Sequence, residues 1–466
     1  MTEIANTERI DVPPPTPAGG PGPGTARLVL ASATLGFFMI SLDATAVNVA
    51  LPAIGRSLHG TTAGLQWAVD GYTVPFAALM ISAGAVSDRL GARRVFGWGL
   101  AVFALASAAC GLAPALLTLI AARSVQAAAG AVILPASLAL VRQAHPDPAG
   151  RARAIALWSG GAASAMAAGP VLGGVLTSAL GWQSIFFVNL PAAALALALA
   201  ARAPRSARRA APLDLAGQVT AVLALGGLVS GVITGGASGF ESGAAVVSLA
   251  VAAAAACGFA IAESRAAHPM VPLGLLRSPV RAAFLAAGLS INAAFYGIAF
   301  VLSLYFQRVL GVPPVTAGLL FLPMTGLLAV ANLVSARVAA RWGHHVAVRL
   351  GLVVGTLGMA LLIVVRGRVG LEVALVPAGA GLGFALPSLT FGVLDTLPAS
   401  RAGLAGGLFN AARQTGGALA VAGFGALASG DAGFLAGMRV SLAASAFLLL
   451  ISTIAVWTTF RPVVRR

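Results

Sequence analysis

The sequence predicts an all-α integral membrane protein with fourteen transmembrane helices. Of its 466 residues, 59% are hydrophobic and only 9% are charged, against roughly 25% charged in an ordinary soluble domain. The apolar residues also come in long runs, each with about the 17 to 25 residues that a helix needs to cross the hydrocarbon. Because backbone groups in lipid must be hydrogen-bonded within their own segment, these runs are helices rather than strands.

The apolar runs fall into groups of six, two and six. They are 28–54, 63–86, 95–114, 115–141, 154–180 and 184–201, then 215–235 and 243–262, then 282–306, 315–336, 350–365, 373–394, 404–429 and 440–460. This grouping predicts six regions: a Pro- and Gly-rich disordered cytoplasmic tail (1–26), an N-terminal six-helix half (27–202), a linker with two extra helices (203–265), a cytoplasmic linker (266–281), a C-terminal six-helix half (282–460) and a cytoplasmic C-terminus (461–466).

The basic residues predict the orientation of the chain. All 29 are Arg, and with a cytoplasmic N-terminus 22 lie in inside segments, five in outside loops and two within helices. This bias follows the positive-inside rule and predicts that both termini face the cytoplasm of a bacterial inner membrane. Since the charge is spread over many loops, the net charge of +16 does not indicate a nucleic-acid partner.

The ends of the second and tenth helices match in sequence. The same residue types recur in the same register at Val86, Arg89 and Gly91 and at Val338, Arg341 and Gly343. The tenth helix is the second helix of the later group, so the match favours a duplicated six-helix half.

Four charged side chains lie well inside the predicted helices: Asp43, Asp70, Arg123 and Arg413. A charge at the centre of a bilayer costs at least about 2.5 kcal/mol, so each of them indicates a functional site by default.

Asp43 and Arg123 are predicted to lie at similar depth. Asp43 is about 24 Å from the cytoplasmic end of the first helix, and Arg123 is about 12 Å below the outer end of the fourth. Burial disfavours the charged carboxylate whereas a nearby guanidinium favours it, so their balance can leave Asp43 able to take up and release a proton. A permanent structural ion pair is the alternative.

Asp70 lies near the predicted outer mouth of the second helix, between Trp67 and Tyr72. Aromatic residues are common at the membrane interface. Asp70 therefore either lines the substrate cavity or simply faces water.

Arg413 lies about 14 Å into the thirteenth helix, beside Asn410 and Gln414. Arg413 could bind a carboxylate or carbonyl group of the substrate, or it could only hold neighbouring helices together. The sequence favours neither role over the other. The polar residues that complete the candidate substrate cavity are Asn48, Asn292 and Tyr296.

The fifth helix carries Gly169, Pro170, Gly173 and Gly174. Close helix packing would explain the glycines by themselves. Together with a proline kink, they also supply a flat face against which another helix could rock.

Four motifs make the chain resemble the major facilitator superfamily, and within it the fourteen-helix drug:proton antiporter family. They are the run 42–52 (LDATAVNVALP), the loop 84–94 (GAVSDRLGARR), Arg123 with Gln126, and the fifth-helix glycines with Pro170. Ala127 departs from the fourth-helix motif, where Gly is usual. The segments 67–80 and 409–417 are similar to exporters of the methylenomycin-resistance type.

The resemblance implies roles for these residues. Proton coupling is implied for Asp43, Arg123 and Gln126, and gating for the fifth-helix motif and for Gly84, Asp88, Arg89, Gly91 and Arg93. In the family, the acid equivalent to Asp88 pairs with basic groups at the inward face.

The expected function is proton-coupled efflux of a drug or antibiotic by alternating access. No acid lies at the centre of helices nine to fourteen, which favours a neutral, zwitterionic or weakly anionic cargo over a dication. We expect a monomer whose partners are the cargo, protons and lipid, with no catalytic, metal or cofactor site. The alternatives are a proton-coupled metabolite uptake symporter and a membrane receptor without transport.

Overall fold

The computed structural model describes residues 22–203, 206, 214–365, 367–397, 402–429 and 433–459. Helices and short connections make up these residues, and no strand occurs among them. The predicted C-terminus and most of the predicted N-terminal tail and Arg-rich linker lie outside the described ranges. Residues 23–26 of the predicted tail instead form the first turn of a helix, because a proline at the first helical position loses no hydrogen bond.

The helices coincide with all fourteen predicted runs. The N-terminal half contains α1 Pro23–Ser57, α2 Thr62–Leu90, α3 Ala92–Gly111, α4 Leu116–Ala144, α5 Pro148–Leu180, α6 Ser184–Phe187 and α7 Asn189–Ala200. The central pair is α8 Leu215–Ser238 and α9 Gly243–Arg265. The C-terminal half contains α10 Pro279–Leu304, α11 Pro314–Leu320, α12 Leu322–Trp342, α13 His344–Val364, α14 Gly367–Asp395, α15 Ala402–Ser429 and α16 Phe434–Thr459.

Two predicted helices are each divided into two segments. The sixth run forms α6 and α7, because the ring of Pro191 conflicts with the carbonyl of Phe187, where α6 ends. The tenth run forms α11 and α12, with Pro323 in the first turn of α12. Other additions are small: α10 continues as a π-helical turn, Tyr305–Val309, and a 3₁₀ turn, Leu273–Arg277, precedes it.

Twelve helices in the described part of the chain are long and apolar enough to cross a membrane. The segment Ser184–Ala200 is shorter, and α15 is not among the twelve. Large apolar side chains such as Trp98, Leu105 and Val247 point away from the bundle, as lipid contact requires. A twelve-span membrane bundle is therefore established, while the count of fourteen stays a prediction.

The two halves repeat the same packing. In the first half α1 packs against α5 and α7, and α2 and α3 pack against α4. In the second half α10 packs against α15 and α16, and α12 and α13 pack against α14. The matched glycines also have matching backbones, since Gly91 and Gly343 have φ of 91° and 88° at the α2–α3 and α12–α13 connections. A left-handed conformation favours glycine, which explains why this residue recurs in the sequence repeat.

The halves meet mainly at one end of the bundle, which we call the outer face as the arginine pattern predicts. The outer ends of α1 and α2 share one apolar core with α10, α14 and α15, while their inner parts belong to a core of the N-terminal half alone. Hydrogen bonds join the halves there: Ser303 donates to the Asn48 carbonyl, Gln307 to the Val49 carbonyl and Thr325 to the Ala167 carbonyl. The structure thus has its outer face closed.

The central pair lies on one seam between the halves. α8 packs against α2 and also against α15. Val229 and Ile233 of α8 form a small apolar cluster with Val74 of α2 and with Ala418 and Ala422 of α15. α9 packs on α8 and is the more exposed of the two.

Candidate functional site

Asp43 and Arg123 form a buried ion pair in the N-terminal half. Asp43 of α1 is 3% exposed and Arg123 of α4 is 1% exposed, and an Nη1–H of Arg123 donates to Asp43 Oδ2. The similar depth predicted from the sequence is therefore matched by direct contact. Gln126, one turn along α4 from Arg123, donates to Asp43 Oδ1 at 3.0 Å.

Two further polar residues complete this network, and the sequence did not single them out. Asn189 at the start of α7 donates to Asp43 Oδ1 at 3.1 Å. Ser107 of α3 accepts from Gln126 at 2.6 Å and from Asn189 at 3.1 Å. Four helices thus converge on one carboxylate, which accepts bonds from one cationic and two neutral donors. The break that Pro191 imposes between α6 and α7 was the available signal for Asn189, since it places this residue at a helix start, where backbone groups lack partners within the helix.

Arg123 has partners besides Asp43. Its Nη1 also donates to Gln126 Oε1 at 2.8 Å, and its Nε donates to the Ala68 carbonyl at 3.4 Å. The guanidinium lies over the ring of Tyr72, 4.2 Å from the ring centre, a favourable cation–π contact. Tyr72 therefore belongs to the ion-pair site rather than to an interfacial belt, and it stacks on Phe76.

A second polar cluster lies in the C-terminal half around Arg413 of α15. Arg413 donates to Asn292 Oδ1 at 3.1 Å and to Asn410 Oδ1 at 3.2 Å. Asn292 of α10 in turn donates to Gln414 Oε1 at 3.0 Å. Among the described residues no carboxylate lies within ion-pair distance of Arg413, which is only half-buried.

Tyr296 borders the Arg413 cluster. It lies one turn beyond Asn292 on α10, and its ring approaches Gly417 of α15. The structure thus brings together five of the predicted cavity residues, and their role in substrate binding stays a prediction: Asn292, Tyr296, Asn410, Arg413 and Gln414.

Asp70 does not face water. It is fully buried on α2, and its Oδ1 accepts a hydrogen bond from Thr73 at 2.8 Å while Oδ2 has no protein partner. Depth along the helix had suggested the outer mouth, but α8 and α15 cover this part of α2. Trp67 packs against the small apolar cluster that Val74 forms with residues of α8 and α15, and so it lies apart from the Arg413 group.

Asn48 lies at the seam between the halves. It lines a cavity of about 10 Å³ with Thr45, Pro170, Phe295 and Thr325, about the space that one water needs. Its backbone carbonyl accepts the bond from Ser303 that closes the outer face.

The fifth-helix glycines allow two separate backbone approaches. A Cβ on Gly169 would lie 1.8 Å from Thr45 Oγ1, and one on Gly173 would lie 2.7 Å from the Ala46 carbonyl, so both face α1. A Cβ on Gly174 would lie 2.5 Å from the Pro314 carbonyl of α11, and one on Gly318 would lie 2.2 Å from the Pro170 carbonyl. α5 therefore contacts α1 of its own half through one face and α11 of the C-terminal half through another.

The predicted loop 84–94 is instead almost entirely helical: Gly84, Asp88 and Arg89 belong to the end of α2 and Arg93 to the start of α3, with Gly91 alone between the two helices. This end of α2 lies at the opposite, predicted cytoplasmic face. Gly84 has open space around it, and Asp88 and Arg89 are exposed. Arg93 donates to the Ala201 carbonyl at 2.5 Å, within its own half. Asp88 forms no ion pair with any described basic residue, and the gating role that the resemblance implies for it stays a prediction.

Comparison with known proteins decides the family. The sequence pattern of the Major Facilitator Superfamily matches residues 33–421. The chain belongs to the Major Facilitator Superfamily. It is thus a membrane transporter rather than an enzyme.

Relatives of this superfamily chain include named antibiotic-resistance proteins. It is 35% identical over 445 residues to the methylenomycin A resistance protein of Streptomyces coelicolor, covering 95% of this chain and 94% of that protein. It is 35% identical over 430 residues to the tetracenomycin C resistance and export protein of Streptomyces glaucescens, covering 90% of this chain and 78% of that protein. Its homologues are thus named as drug and antibiotic resistance efflux proteins.

A solved structure shows the same fold. A bacterial homologue of the human lysosomal transporter Spinster superposes with a TM-score of 0.65 at 16% identity, over 92% of this chain and 96% of that one. The all-helical facilitator fold is therefore shared at low sequence identity.

Proposed function

We propose that this protein exports a small antibiotic or drug in exchange for protons, by alternating access. The observation that carries the proposal is the buried carboxylate of Asp43, which is held by one guanidinium and two amides. A carboxylate in this position can bind a proton, and each amide donor has a second partner in the network.

Arg123 is arranged so that the pair can switch. When Asp43 is protonated, the guanidinium retains the Gln126 oxygen, the Ala68 carbonyl and the face of Tyr72. Removing the counter-charge from a buried ion costs several kcal/mol when nothing else solvates it. Because these partners remain, an exchangeable site is favoured over a permanent structural pair.

Two features support alternating access. The halves are joined at the outer face, where backbones touch through glycines of α5 and α11. The halves are also structural repeats of each other, and rocking of two repeats about a central site is the general mode for such folds. We infer fourteen spans, both termini in the cytoplasm and a monomeric transporter.

The proposed direction and cargo rest on the relatives and on charge. The two Streptomyces relatives carry names of resistance and export. Arg413, which is half-buried and bonded only to amides among described residues, suits a neutral, zwitterionic or weakly anionic compound. One proton moving through about 100 mV gains roughly 2.3 kcal/mol, and one pH unit adds about 1.36 kcal/mol. Together these sustain a gradient of about several hundredfold.

The test is efflux by Asp43→Asn protein. In a host that lacks its own efflux pumps, we expect the unmodified gene to raise resistance to methylenomycin A or tetracenomycin C and Asp43→Asn to return it to the vector level. Asp147→Asn, which keeps a capping oxygen at the start of α5, is the matched control and should behave as the parent. Undiminished resistance with Asp43→Asn at equal protein in the membrane would refute the assignment.

Proton movement distinguishes exchange from uptake. In proteoliposomes loaded with a pH dye, drug entry by exchange makes the lumen more alkaline, because protons leave. Acidification that accompanies drug entry would identify a symporter, and binding without flux would identify a receptor.

A further inference from the structure

A second acid, Asp70, is buried at the surface where the two halves meet. It lies one helical turn from Gln66 and one from Val74, so the three side chains share a face of α2. Gln66 donates to the carbonyls of Val421 and Ala422 on α15, and Val74 packs against Ala418 and Ala422. Asp70 is therefore enclosed between α2 of one half and α15 of the other, about 12 Å from the outer end of α2 by the helical rise.

Among the residues that the structure describes, no cation lies within ion-pair distance of Asp70. On α4, which packs on α2, Arg123 is bonded to Asp43, and on α15 Arg413 is bonded to Asn292 and Asn410; neither lies within 4.0 Å of Asp70. The described residues of α8 carry no charge, and Asp43 is the only charged residue of α1 near this depth. The sole bond to Asp70 comes from the neutral hydroxyl of Thr73.

A charged carboxylate in this position is unfavourable, since burial without a partner costs several kcal/mol and the group becomes neutral instead. Closing the outer face requires α15 to cover Asp70. Protonation of Asp70 and closure are therefore linked: the closed state holds the acid neutral, whereas an open outer face would let water reach the ionised form.

We propose that Asp70 is a second proton-binding site, filled from the outer side, whose protonation permits the outer face to close. The proposal rests on the proposed alternating access and adds to it, because Asp43 lies in a network internal to one half while Asp70 lies between halves. It predicts that the outer face closes at low pH and opens as pH rises. For one proton, the open-to-closed ratio changes by up to about tenfold per pH unit.

Outer-face opening can be measured without any substrate. Spin labels are placed at Leu117→Cys on α4 and Val309→Cys beyond α10, both exposed near the outer face, in a Cys257→Ser background; Cys110 is buried. Distances between the labels are measured by double electron–electron resonance in lipid nanodiscs from about pH 5 to about pH 9. In otherwise unmodified protein, we expect a longer distance to gain population as the pH rises.

Substitutions at Asp70 decide whether it is the group responsible. Asp70→Asn should keep the short distance at every pH, and Asp70→Ser should do the same where Asn impairs folding. Asp70→Glu should retain a pH-dependent distance. Asp43→Asn, the matched buried acid, should retain the shift due to Asp70.

Three results would overturn the proposal. They are an unmodified protein whose distance ignores pH, an Asp70→Asn protein that follows the parent, and a shift that disappears in Asp43→Asn alone. The last would leave proton-coupled export at Asp43 intact, and loss of flux is measured separately, so the two proposals fail in different experiments.

Discussion

Each half of the bundle holds an arginine inside the membrane, but their surroundings differ. Arg123 is enclosed with Asp43, two amides and a serine, all drawn from helices of the N-terminal half. Arg413 is bonded to two amides and keeps part of its side chain accessible. The packing of the halves is duplicated while their charges are not. Under the proposed function, the N-terminal half exchanges protons and the C-terminal half presents a fixed positive charge to the cargo.

The largest expected effect is the difference in stability loss between Arg123→Ala and Arg413→Ala. Arg123→Ala leaves Asp43 buried without its counter-charge, and removing one partner of a buried pair costs about 3 to 5 kcal/mol. Arg413→Ala removes bonds to neutral groups only, for which about 1 kcal/mol is expected. Chemical unfolding in detergent measures both, and equal losses would mean that the two clusters are not different in kind.

A second prediction concerns the support of Asp43 by α5. Gly173→Ala places a methyl group 2.7 Å from the Ala46 carbonyl, three residues beyond Asp43, and overpacking of this kind typically costs about 1 to 3 kcal/mol. We expect export to fall about tenfold or more. Gly160→Ala, where a Cβ meets nothing within 4 Å, is the control; similar losses in both variants would show that helix propensity rather than contact with α1 is at work.

The third prediction tests whether Arg413, the more accessible of the two arginines, binds the cargo. Arg413→Gln removes the charge but keeps hydrogen-bonding capacity, so we expect the concentration for half-maximal export of an anionic drug to rise about tenfold, equivalent to about 1.4 kcal/mol. The maximal rate should change little. Transport assays at varied drug concentration test this, and unchanged affinity would assign Arg413 to helix packing.

The smallest expected effect concerns redundancy in the Asp43 network. Asn189→Ala removes one of two amides that donate to Asp43 Oδ1, and Gln126 still donates to both Asp43 and Ser107. A loss of about 1 kcal/mol is expected, the ordinary net contribution of a hydrogen bond. Thermal unfolding can detect it, and a loss as large as that of Arg123→Ala would show that the network has no redundancy.

Hydropathy and charge anticipated much of this architecture. The fourteen runs match helices because apolar length is a direct property of sequence, and the meeting of Asp43 with Arg123 followed from their depth. The depth of Asp70 along its helix did not predict that this residue is buried, because depth does not reveal which neighbouring helix covers a given face. Ser107 and Asn189 were missed since uncharged polar residues are common in membrane helices. The contact of Gly174 with α11 depends on how the halves dock, which no local pattern encodes.

The reciprocal approach of α5 and α11 has a consequence for the energetics of opening. Gly174 faces the Pro314 carbonyl, and Gly318 faces the Pro170 carbonyl. Glycine has no side-chain rotamers to lose, and proline loses almost none. Closing this part of the outer face therefore carries little entropic penalty, and opening it gains little disorder in return. Under the proposed alternating access, the balance between the two states is then set by the apolar core that the halves share and by the polar groups beside it, among them Asp70.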